Sequence, residues 1–175
     1  PATGKSVAII GGGPGGLSAA YYLALMGHKV TVYEKQKHLG GMMRYGIPSY
    51  RLPRQKLDDE IASILSLGIE VHTEVDVGTD ITFDALKQEY DCLYLSIGAH
   101  TDKKTGIEGE DSRGVRAAGE VRRHMGDDEM PDCTGQNGVV IGGGNVAMDV
   151  PRSASRLGAT KVTCVYRRRQ EDMTA

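Results

Sequence analysis

One pattern constrains this chain more than any other: a strand, a glycine turn, a helix and a second strand, written twice. VAIIGGGPGGLSAA at residues 7–20 and VVIGGGNVAMDV at residues 139–150 each run from apolar residues through glycines into a helix-like stretch. Aligning Gly11 with Gly142 also brings Gly27 close to Gly158 and Val30 close to Val162. This is an internal repeat of a β-α-β unit, and parallel neighbouring strands need such a crossover. The expected fold class is therefore α/β, a parallel sheet with flanking helices.

In the first copy Gly11, Gly13 and Gly16 fit G-x-G-x-x-G, with Pro14 and Gly15 completing the turn. The first glycine allows the tight turn and the second lets backbone approach a pyrophosphate. The third lets the helix pack on the sheet, and the helix N-terminus supplies N–H donors and partial positive charge. Glu34 closes the second strand near the spacing of about 20 residues at which a carboxylate accepts from an adenosine ribose. In the second copy Gly142, Gly144 and Ala147 give G-x-G-x-x-A, and the strand ends in Tyr166-Arg167-Arg168-Arg169. A carboxylate there repels a 2′-phosphate, whereas planar guanidinium donors attract one. The first turn thus suits a nucleotide with a free ribose and the second suits NADP. The competing readings are a glycine turn of some other α/β protein and a solvated basic cluster.

The rest of the chain sorts around these repeats. Leu17 to Met26 reads as a helix stopped by Gly27, and Lys29 to Tyr33 as a strand. A Gly/Pro/Arg-rich loop spans 39–53. Leu57, Ile61, Ile64 and Leu65 then share one helical face, ended by Gly68. Ile69 to Val77 reads as a strand, Phe83 to Glu89 as a short helix capped by Thr82, and Asp91 to Ile97 as a strand. His100 to Asn137 is polar connection with one short helix over Ala117 to His124. Pro151 falls inside the second repeat's helix, so that helix either kinks or starts its regular part later.

Among 175 residues, 25% are charged and the formal net charge is -2, which gives no reason to expect nucleic acid or a membrane surface as partner. No apolar run reaches the eighteen or so residues of a membrane span. Cys92, Cys133 and Cys164 form no C-x-x-C, and the five histidines have no ligand spacing, so no metal site is expected. Cys92 and Cys164 sit in apolar strands and read as buried. The sparse cysteines fit a cytoplasmic protein.

The motifs LGGMMRYGIPSYRLP at 39–53, LGIEVHTEVDVG at 67–78, YDCLYLSIGA at 90–99, GEDSRGV at 109–115, RLGATKVTCVYRR at 156–168 and EDMTA at 171–175 join the two glycine words. Together they cover nearly the whole chain. In them it resembles the small (β) subunit family of NADPH-dependent glutamate synthase, with the N-terminal part of dihydropyrimidine dehydrogenase, the NADPH-side subunit of bifurcating transhydrogenase and, more distantly, adrenodoxin reductase. The resemblance implies a Rossmann-like FAD/NAD(P)-binding fold in a truncated two-dinucleotide architecture. It divides the chain into an FAD-binding part at 1–105, a connection at 106–136 and the start of an NADPH-binding domain at 137–175.

The implied activity is that of a flavoprotein oxidoreductase. Hydride passes from NADPH to FAD, and electrons go on to an iron–sulfur centre, an iron–sulfur domain or a large catalytic subunit. The alternative is a non-catalytic nucleotide-binding module. Glu34 is implied to hold the FAD ribose with Lys35 beside it, and Gly40 and Gly41 to line the pyrophosphate path. Tyr45 to Pro48 would pass near the flavin ring with Arg51 close by, and Val75 would offer backbone groups to the adenine edge. Gly143, Gly144, Asn145 and Val146 are implied to meet the NADPH pyrophosphate, and Arg167 and Arg168 its 2′-phosphate. The flavin does the chemistry, so no catalytic side chain is expected. The 175 residues by themselves are expected to be an inactive fragment. Residues 138–175 are expected either to pair with a second copy, giving a dimer, or to dock on the FAD-side sheet.

Overall fold

The structure, a computed structural model, describes residues 1–102, 104–127 and 129–175; Lys103 and Asp128, both in the polar connection, lie outside the described residues. The chain forms two compact units, Pro1–His100 and Thr101–Ala175.

The first unit contains β1 (Ser6–Ile10), α1 (Pro14–Leu25), β2 (Lys29–Tyr33), α2 (Met42–Tyr45), α3 (Arg54–Leu65), β3 (Glu70–His72), α4 (Phe83–Glu89) and β4 (Cys92–Leu95). Its strands form a parallel sheet in the order β3-β2-β1-β4. β1 and β2 are almost wholly apolar because both sheet faces are covered. Alternate side chains point to opposite faces. Val7, Ile9, Val30 and Val32 pack with Leu17, Ala20, Leu57 and Ile61, while Ala8, Ile10 and Tyr33 pack with Leu86. Thr31, also fully buried, carries its hydroxyl there without a hydrogen-bond partner among the described residues. The order reverses direction between β1 and β4, and open α/β sheets bind ligands outside the strand ends at such a point.

Sequence expectation and structure agree closely for α3, α4 and β2. Thr82 caps α4 by accepting from the Ala85 N–H at 3.1 Å. β3 is shorter than the expected 69–77. Glu74 has φ 58, and there the chain bulges out of the ladder. The loop at 39–53 contains the single helical turn α2, which loop composition hid.

The second unit contains α5 (Ala118–Gly126), β5 (Asn137–Ile141), α6 (Asn145–Arg156), β6 (Lys161–Val165) and a 3-10 turn at Gln170–Asp172. β5 and β6 pair in parallel as their own two-stranded sheet. α6 runs through Pro151 without starting later, although proline there has no N–H to offer the carbonyl four residues back. One face of the small sheet is bare: Val139 is 67%, Ile141 59% and Val165 48% exposed. Cys92 and Cys164 are exposed, contrary to the expectation of burial. Their strands are indeed apolar, but β4 is the outer strand of its sheet and β6 belongs to a sheet of two strands, so burial does not follow from strand character.

No helix among the described residues is long and apolar enough to cross a membrane. Among the same residues no cluster of His, Cys, Asp or Glu is arranged to hold a metal.

Candidate functional site

Each unit has its own glycine turn. In the first, Gly11 has φ 108, and its N–H donates to the Tyr33 carbonyl at 2.8 Å. A Cβ on Gly11 would collide with the Ser96 carbonyl, and one on Gly16 with the Gly11 carbonyl. Gly12 lies beneath the Leu39 side chain. These three glycines answer to the protein's own packing. Gly13 and Gly15 do not. A Cβ at Gly13 would meet nothing nearer than the Gly41 Cα at 3.6 Å, and one at Gly15 nothing nearer than the Ser96 Cβ at 3.8 Å. Gly13 is also the N-cap of α1, a 12-residue helix with Pro14 in its first turn and no side-chain cap. The first-turn N–H groups therefore face open space with donors to spare.

Glu34 is buried, and its two carboxylate oxygens are already engaged. Oε2 accepts from the Gly12 N–H and Oε1 from the Gln36 N–H, both at 2.7 Å. Each oxygen has a second lone pair, so the carboxylate can still accept from a sugar hydroxyl. The adjacent Tyr33 hydroxyl is held above its ordinary pKa, first by burial and then by its hydrogen bond with Tyr90. Lys35 is exposed and pairs with Asp76 at 2.6 Å. Val75 spends its N–H on the Glu34 carbonyl at 3.0 Å, which leaves only its carbonyl for a ligand.

The 39–53 loop reaches the same turn. The Gly40 N–H donates to the Gly12 carbonyl at 2.9 Å, and Gly41 packs so closely that a Cβ there would stand 2.7 Å from the Gly13 Cα. Arg44 is 5% exposed, donates from Nε to the Leu39 carbonyl at 2.9 Å and pairs with Asp58 of α3. It thereby fixes the segment that carries Gly40 and Gly41. Tyr45 is buried with its hydroxyl accepting from the His38 N–H, Pro48 is buried, and Arg51 is exposed.

In the second unit Gly142 has φ 144 and donates to the Val165 carbonyl at 2.9 Å, repeating Gly11 and Tyr33. Gly143 lies against the Tyr166 ring, whose nearest atom would be 2.6 Å from a Cβ there. Gly144 is the uncapped N-cap of α6, and its side is open except for the Thr174 hydroxyl oxygen at 3.8 Å. Asn145 and Val146 are exposed in the first turn. The three arginines separate. Arg169 is committed to Asp172 at 3.3 Å and Glu171 at 3.7 Å, whereas Arg167 and Arg168 are exposed with no acidic partner among the described residues.

Glu34, Gly12, Gly13, Gly40 and Gly41 are thus brought together around one turn, with Arg51 exposed in the loop beyond. Sequence reasoning passed over Ser96, whose hydroxyl donates to the Gly11 carbonyl at 2.9 Å, and Arg44. Both lie inside the family words, but neither residue type announces a supporting role.

Residues 5–172 match the pyridine nucleotide-disulphide oxidoreductase family, and the chain belongs to that family. It is 46% identical to the NADP(+)-dependent formate dehydrogenase subunit beta of Moorella thermoacetica, over 99% of this chain and 25% of that protein. It is 37% identical to the glutamate synthase [NADPH] small chain of Escherichia coli (strain K12), over 98% of this chain and 38% of that one. Among solved structures, Mycobacterium tuberculosis FprA in complex with NADPH superposes with a TM-score of 0.78 at 25% identity, over 94% of this chain and 44% of FprA. The chain spans less than half the length of each.

Proposed function

We propose that the first turn holds FAD and the second holds NADPH, in a flavoprotein that passes hydride from NADPH to FAD and electrons onward to an iron–sulfur centre or a partner subunit. Gly13, Gly15 and Gly144 carry this reading. Nothing in the protein's own packing excludes a side chain at these positions, yet they line the uncapped starts of two 12-residue helices. Backbone bare of side chains at a helix N-terminus is what a pyrophosphate requires. The strand ends then sort the two nucleotides, a carboxylate at Glu34 and free guanidinium groups at Arg167 and Arg168.

When bound, FAD supplies the hydride and electron chemistry. The chain's residues bind and orient. Glu34 accepts from the adenosine ribose, and the Val75 carbonyl meets the adenine edge. The first-turn N–H groups of Gly15 and Gly16, beside Pro14 and with Gly40 and Gly41 opposite, surround the FAD pyrophosphate. Gly143 to Val146 do so for NADPH, and Arg167 and Arg168 take its 2′-phosphate. The names of the two relatives, a formate dehydrogenase subunit and a glutamate synthase chain, support an acceptor on a partner subunit. The test is purification of the intact protein. A yellow protein bleached by NADPH without oxygen supports the reading. A colourless protein that takes up no added FAD overturns it and leaves a nucleotide-binding module without catalysis.

A further inference from the structure

Beyond β6 the chain turns back on the second glycine turn. The 3-10 turn Gln170–Asp172 follows the arginines, and the Thr174 N–H then donates to the Gly143 carbonyl at 3.2 Å. Several contacts hold this strap closed, among them the Tyr166 hydroxyl donating to the Asp172 carbonyl at 3.2 Å and Arg169 donating from both its N–H and Nε to Asp172 Oδ2 at 3.3 Å. As a result the Thr174 hydroxyl stands at the rim of the space beside Gly144, where it is the sole group within 4 Å of a Cβ position. Thr174 is exposed, and no hydrogen bond engages its hydroxyl among the described residues. A free hydroxyl beside unpaired helix N–H groups adds one more donor to an anion site, and threonine, being β-branched, holds its hydroxyl in few rotamers.

We infer that the Thr174 hydroxyl donates a hydrogen bond to the pyrophosphate of the coenzyme, so that the strap forms the second wall of that site. This role rests on the second turn being an NADP site. It gives Thr174 a task separate from that of Arg167 and Arg168, which meet the other phosphate.

Calorimetric titration with two ligands separates these tasks. NADP+ has both the pyrophosphate and the 2′-phosphate, whereas adenosine 2′-monophosphate has only the latter. Thr174→Val, which keeps the shape and removes the hydroxyl, should weaken NADP+ about tenfold, the equivalent of about 1.4 kcal/mol, and leave adenosine 2′-monophosphate unchanged. Thr174→Ser should restore NADP+ binding. Arg167→Ala with Arg168→Ala should weaken both ligands. Unchanged NADP+ affinity in Thr174→Val overturns the role, and so does equal loss of both ligands, which marks a strap that only supports the arginines. All of these titrations use the intact protein, and if it binds neither ligand without substitution, the nucleotide reading itself fails and takes the Thr174 role with it.

Discussion

Glu34 is expected to matter twice, once for the turn and once for the ligand, and the two effects can be measured apart. Its carboxylate accepts from the buried Gly12 N–H and the part-buried Gln36 N–H, both at 2.7 Å. Glu34→Ala leaves the Gly12 N–H buried without a partner, at a cost of about 1–3 kcal/mol, while the Gln36 N–H recovers part of its loss from water. The net expectation for the ligand-free chain is a loss of roughly 2–4 kcal/mol. Glu34→Gln keeps one acceptor oxygen but turns a donor toward one of the two N–H groups, and should lose roughly half as much. Urea unfolding followed by circular dichroism gives the stability. Amide exchange at Gly12 gives the local effect, which should be far larger than the change at Leu93. Flavin retention after dialysis of the intact protein reports the ribose contact separately. Stability in Glu34→Ala equal to the parent, with Gly12 still protected, would refute the double role.

Three further outcomes follow from named groups. Arg167→Glu combined with Arg168→Ala in the intact protein should raise KM for NADPH at least about tenfold and leave NADH nearly unaffected, since one charge-assisted bond is worth about 1.5–3 kcal/mol; equal loss with both coenzymes would remove the arginines from the 2′-phosphate. Thr31→Val replaces a buried hydroxyl that has no partner among the described residues and should raise stability by about 1 kcal/mol, read as a higher urea midpoint; a lower midpoint would mean that the hydroxyl contributes. The Asp91 carboxyl is held at about 2, below its ordinary 3.8, chiefly by the hydrogen bond from Lys5 and then by the Ser6 N–H. The unfolded chain therefore binds this proton more readily, so its stabilisation is complete above about pH 4 and lost as pH falls toward about 2; Asp91→Asn should flatten the acid limb of the stability curve there.

The fold was legible where the pattern is local. The glycine turn of each repeat, the α4 cap at Thr82 and the α3 face at Leu57 and Ile61 each follow from residues a few positions apart. What stayed hidden depends on distant partners. Nothing near Cys92 or Cys164 says how many strands lie beside theirs, so their apolar setting pointed inward while the sheets leave them exposed. Glu34 was recognisable as a strand-end carboxylate, but its bond to Gly12 needs the turn folded back over 22 residues. β3 ends early because Glu74 takes a positive φ, a conformation that a glutamate does not advertise. The return of Thr174 to Gly143 likewise depends on the course of the chain after the arginines, where no periodic pattern exists.

Gly12 and Gly143 occupy the same place in the two repeats, and each lies under a side chain from beyond the second strand. The source differs: Leu39 covers the first, five residues past Glu34, while Tyr166 covers the second and itself holds the position that Glu34 holds in the first. The strand-end residue and the cover of the turn are therefore two residues in one repeat and a single residue in the other. Grafting residues 34–37 in place of 166–169 would import a carboxylate and strip Gly143 of its cover in the same step. A redesign toward NADH has to carry in a substitute for Leu39 as well, or the loosened turn will mask whatever the new charge achieves.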